Sequence, residues 1–120
     1  MIARSSALEL VDMMDSGQLT SLEITLTFIE RAATIGVSNN YVLDEMFEEA
    51  VAMARNCDDV RSKNKGKKCW QFGDKFEETL PPFFGVPISL KEVILYKGKR
   101  TYLGHLYPIN PIPQEHSFFV

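Results

Sequence analysis

Cysteine is scarce in this chain: Cys57 and Cys69 are the only two among 120 residues. That is too few for the disulfide framework of a small secreted domain. Long hydrophobic runs are missing as well, so no stretch of about 18 apolar residues encodes a transmembrane helix. The N-terminus, MIARSSALELVDMMDSG, lacks the apolar h-region of a signal peptide. These absences lead us to expect a reducing intracellular setting, cytoplasmic or peripherally membrane-associated. An excess of one charge sign is also lacking, with 13 Lys and Arg against 16 Asp and Glu, a net charge of -3 and a pI near 5.4. Broad electrostatic attraction to nucleic acid is therefore not expected, and any contact with anionic lipid would be local. Finally, Cys57, Cys69, His105 and His116 include no pair with the close spacing of structural zinc ligands, so no metal is expected.

What is present suits one modest globular domain. Hydrophobic residues make up 45% and charged residues 24% of the chain, a balance that argues against disorder. Ala7, Leu10, Val11 and Met14 fall at helical spacing, Ser6 and Glu9 form a capping box in front of them, and Gly17 ends the segment. A second box, Thr20 with Glu23, opens a helix on which Leu22, Leu26, Ile29 and Ala33 share a face, with Gly36 as its stop. After the turn VSNN, a third helix aligns Leu43, Met46, Phe47, Ala50, Val51 and Ala54, with Asp44, Glu45, Glu48 and Glu49 early on its other faces. These stripes read as core, since none carries a polar cluster.

Periodicity fades after Asn56. Residues 61–82 read as a surface insertion in which Arg61, Lys63, Lys65, Lys67 and Lys68 lie near Trp70. Such a run can meet phosphates or headgroups, or can be a solvated stretch balanced by Asp74, Glu77 and Glu78. Beyond the Gly85 hinge, Val86, Ile88 and Leu90 alternate with Pro87, Ser89 and Lys91, the period-two pattern of a strand. Pro87 restricts that strand to an edge or a bulge. Pro108, Pro111 and Pro113 then mark an irregular connection, and QEHSFFV has the look of a helix start.

The stretch GVPISLKE, Gly85 to Glu92, followed by YKGKRTYLG, Tyr96 to Gly104, resembles the first conserved block of the amidase signature family, and within it the fatty acid amide hydrolase branch. The upstream order agrees: two helices joined by the turn at Gly17 to Ser21, an asparagine before an apolar pair at Asn40 to Val42, then a third helix. This resemblance implies an α/β fold in which N-terminal helices precede the first strands of a mixed sheet. Residues 1–120 would then be the N-terminal portion of a single amidase signature domain. It also implies that Lys91 is the catalytic base of a Lys-Ser-Ser triad acting on a small-molecule amide, with no cofactor. An ammonium with a reference pKa near 10.4 accepts no proton at neutral pH, so that role needs a dry pocket. The triad serines and oxyanion donors of the family match none of Ser5, Ser6, Ser16, Ser21, Ser38, Ser62, Ser89 and Ser117. Ser89 is expected to be a packing or hydrogen-bonding neighbour of Lys91. An inactive truncated fragment, or a binding module associating with a longer relative, is the alternative reading.

Overall fold

At Ser6 and Thr20 the backbone turns helical, and the computed structural model, which describes residues 2–71 and 73–118, shows why. Ser6 is the N-cap of α1 (Ala7–Asp15) and Thr20 the N-cap of α2 (Ser21–Arg31). Each cap side chain accepts the N3 amide, while Glu9 or Glu23 accepts the N–H of the cap residue at 2.7 and 2.8 Å. Both boxes read from the sequence are formed. Accepting that backbone N–H, and then the cap hydroxyl, holds each glutamate below the ordinary carboxylate range. Helix α2 has a further cap from α3 (Phe47–Lys63). The Asp58 carboxylate accepts the Ser21 and Leu22 amides at 2.7 and 3.0 Å, placing negative charge at the positive end of α2.

The face that α2 buries differs from the expected one. Ser21, Ile24 and Thr25 are buried and Phe28 packs against the core, whereas Leu26 is 48% exposed and Ala33 faces solvent. The reason is close approach: the small Ser21 side chain lets the 83–86 turn come near, and its hydroxyl donates to the Gly85 carbonyl at 2.6 Å. Gly36 is likewise no stop. The helix continues past Arg31 as a π-helical segment, Ala32–Gly36, and Asn40, at φ 55°, is the first left-handed residue after it. Gly36 serves packing instead, because a Cβ there would sit 2.8 Å from Val42 Cγ2. Helix α3 starts later and ends later than its apolar stripe suggests, leaving Leu43 72% exposed and carrying Asp58 and Arg61 within the helix.

Leu10, Val11 and Met14 of α1, Ile24 of α2, and Cys69 and Leu80 from the 61–82 stretch form one cluster. That stretch is exposed over 65–68 and 73–78, yet its Arg61, Cys69 and Leu80 are drawn inward. Arg61 Nη1 pairs with Asp15 Oδ1 at 2.6 Å, and Nη2 donates to the Phe84 carbonyl at 2.8 Å and to Cys69 Sγ at 3.1 Å. Asp15 Oδ2 accepts the Cys69 amide at 2.9 Å. Burial works against the Arg61 charge, but Asp15 and Cys69 more than reverse this and hold its pKa above the ordinary value. Burial also pushes the Cys69 thiol up, with the Arg61 charge opposing. Arg61 is thus a bolt between α1, α3 and the 69–84 segment, not a member of a basic surface run.

Among the described residues no strand forms beyond an isolated parallel bridge, Cys69 with Leu80. The alternating run at 86–91 has no ladder partner there, and Ile88 is 77% exposed. Alternation specifies two faces, but a strand also needs a neighbour for its backbone donors and acceptors. The QEHSFFV segment is not helical over 114–118, and Phe119 and Val120 lie outside the described residues. No helix among the described residues is long and apolar enough to cross a membrane.

Gly85 ties sequence to packing most tightly. It adopts φ 87°, and a Cβ there would meet Ser21 Oγ at 3.0 Å and Met14 Sδ at 3.4 Å. Gly85→Ala therefore combines left-handed strain with overpacking, a loss of about 2–4 kcal/mol. Gly17, at φ 73° with open space around it, isolates the strain component, so Gly17→Ala is expected to cost about 1–2 kcal/mol. Urea melts of the two variants check the difference; equal midpoints would mean that the Ser21 contact carries nothing.

Candidate active site

The chain divides into two compact units, residues 2–87 and 88–118, and Lys91 stands near the start of the second. That unit has neither helix nor strand among its described residues, so its shape is set by turns. The Lys91 carbonyl accepts the Ile94 amide at 2.9 Å, closing the first turn, and the Lys91 side chain is exposed. Tyr96 and Lys99 close a second turn at 3.0 Å around Gly98, whose φ is 81°. Glycine at the third position of such a turn supplies the positive φ without steric cost. The Tyr96 ring meets His116 edge-on at 4.5 Å, and His116 Nδ1 accepts the Lys97 amide at 3.3 Å.

A third turn follows at TYLG. Leu103 and Gly104 take φ 48° and 78°, and the His105 amide donates to the Tyr102 carbonyl at 2.9 Å. Two successive left-handed residues inside one hydrogen-bonded turn are the mark of the primed type I turn, which favours Asn-Gly or Gly-Gly. Leucine at the first of its two central positions costs roughly 1–2 kcal/mol of steric strain. Glu92 answers that strain: one carboxylate oxygen accepts the Tyr102 amide, and the other accepts the Leu103 amide at 3.1 Å. The residue next to Lys91 therefore grips the far end of the YKGKRTYLG loop. The family-like motif directed attention to Lys91 and left Glu92 unassigned, since its partners are backbone amides that leave no mark in the sequence.

The serines have other employment. Ser16, Ser21, Ser38 and Ser62 donate to the carbonyls of Met13, Gly85, Ile35 and Asp59, and Ser6 caps α1. Ser89 is exposed. Cys57 and Cys69 are free thiols of the first unit, while His105 and His116 belong to the second. No group of three His, Cys, Asp or Glu side chains suited to a metal ion occurs among the described residues.

Comparison with known proteins gives this arrangement its context. The amidase family profile matches residues 23–120, a span that takes in α2 from Glu23 onward, α3 and the whole Lys91 loop. The chain is 33% identical over 109 residues to an acetamidase of Emericella nidulans, covering 91% of this chain and 18% of that protein. It is 32% identical over 105 residues to a probable amidase of Saccharomyces cerevisiae, covering 88% and 16%. With an amidase of Gibberella moniliformis it shares 31% identity over 104 residues, covering 84% and 17%. The chain spans less than a fifth of the length of these curated relatives. No solved structure matches. With the lysine block inside a family match that covers most of its length, this chain belongs to the amidase signature family.

Proposed function

We propose that this chain supplies the general base, Lys91, of an amide hydrolase. In this reading an uncharged Lys91 takes a proton relayed by a bridging serine from a nucleophilic serine. That serine attacks the carbonyl of a small-molecule amide, and water later releases the acid. Both serines and the oxyanion donors come from amidase sequence other than these residues. What carries the proposal is the position of Lys91 in the GVPISLKE block, inside the segment matched by the family. The α/β mixed sheet belongs to the same reading, with residues 86–91 becoming a strand once neighbouring strands supply ladder partners.

Two substrate classes follow from two observations. The YKG and TYLG segments resemble the fatty acid amide branch, whereas the relatives named acetamidases favour short aliphatic amides. Hydrolysis of acetamide and of oleamide by a full-length amidase carrying residues 1–120 separates them by kcat/KM.

The 120-residue chain by itself is expected to hydrolyse neither amide and to take no label from a fluorophosphonate serine probe, because members of such a triad act as a unit. Intact-mass spectrometry after probe treatment checks this. One label per chain would place a reactive serine within these residues.

A further inference from the structure

Resting on the assignment of Lys91 as base, we infer that Glu92 is a positioning residue: its carboxylate locks the YKGKRTYLG loop onto the turn that begins at Lys91. The geometry is specific. Both oxygens are used, each by one of two consecutive amides, Tyr102 and Leu103. Those amides open a turn whose first left-handed residue is a leucine, a side chain that such a turn does not hold unaided. A bidentate acceptor fixes both the orientation of the peptide between residues 102 and 103 and its separation from residue 92. Because Lys91 is bonded to Glu92 and its own carbonyl closes the Lys91 to Ile94 turn, whatever fixes Glu92 limits the paths open to the lysine. A catalytic base loses rate steeply when it is displaced by about an ångström. Clamping the neighbouring residue is therefore a direct way to hold Lys91 in register.

Glutamine is the informative replacement. In Glu92→Gln one oxygen still accepts an amide, but the other is replaced by an NH2 group that faces a second donor. The Leu103 strain should then be released by opening the turn. Replacing the leucine by glycine removes the strain at its source, so Leu103→Gly in the Glu92→Gln background should restore the loop.

Two measurements test this. In the 120-residue chain, 1H–15N spectra should show the Tyr102 and Leu103 amides exchanging about tenfold faster in Glu92→Gln, with recovery at the Tyr102 amide in the double variant. Unchanged exchange in Glu92→Gln overturns the clamp. In a full-length amidase carrying these residues, Glu92→Gln should lower kcat per probe-titrated site by about tenfold to a hundredfold. KM should stay nearly constant, the acid limb of the pH profile should move, and Leu103→Gly should recover most of the rate. A purely structural residue would lower the titrated fraction and leave kcat per site and the pH limb alone, which overturns the positioning role. If Lys91→Ala retains normal turnover, the base assignment fails and takes the positioning role with it, while the exchange data still report the clamp.

Discussion

Lys91→Ala is expected to lower amide hydrolysis by about 10²–10⁴-fold in a full-length amidase carrying these residues, the range associated with loss of a general base. Lys91→Arg is the sharper variant. It keeps length and positive charge but cannot lose its proton near neutrality, so it should be as inactive as alanine. A lysine serving only as a solvated surface cation would tolerate arginine with little change, and near-normal turnover by Lys91→Arg would return it to that role. The isolated chain leaves Lys91 exposed, whereas the proposed chemistry needs an amine whose charge is disfavoured by burial. In the proposed reading, cover for Lys91 comes from other parts of an amidase domain, and kcat rather than stability of the 120-residue chain is the quantity to measure.

The largest expected effect on folding lies at Asp15. Asp15→Ala strips Arg61 of its carboxylate partner and the Cys69 amide of its acceptor in one step. The side chains of the pair are only 13% and 5% exposed, and removing one member of such a buried pair costs about 3–5 kcal/mol. Arg61 Nε is already buried without a hydrogen-bond partner, so the guanidinium has little to fall back on. Replacing both ends, Asp15→Leu with Arg61→Met, should recover part of the loss, because an apolar pair leaves no orphaned charge although the Cys69 amide still lacks its acceptor. Urea melts of the single and double variants give the coupling directly. A loss below about 1 kcal/mol for Asp15→Ala would reduce the pair to an ordinary surface contact.

How far the fold could be read in advance depended on where each stabilising partner lay along the chain. The two capping boxes were legible because Ser6 and Glu9, or Thr20 and Glu23, lie three residues apart and satisfy each other locally. The same local logic found Leu10, Val11 and Met14. It failed for α2, where the row of buried Ser21, Ile24 and Thr25 with half-buried Phe28 has proper helical spacing but contains two hydroxyls. An apolar stripe therefore pointed to Leu22 and Leu26 instead. It failed again for Arg61, which looked like one basic residue among several until Asp15, 46 residues away, was brought against it.

Lys91 was legible only through resemblance, since nothing in the composition or spacing near it distinguishes a base from a surface cation. Glu92 could not be assigned from the linear order, because its partners are two backbone amides that any residue would supply. Sequence alone determined the starts of α1 and α2, the family, and the lysine on which the proposed chemistry rests, for these depend on near neighbours or on matched residue identities. Tertiary structure decided which face α2 buries, that Arg61 bolts the first unit together, and that Glu92 holds the strained Leu103 turn. Each of those depends on groups brought together across tens of residues, or on backbone donors whose direction only folding sets.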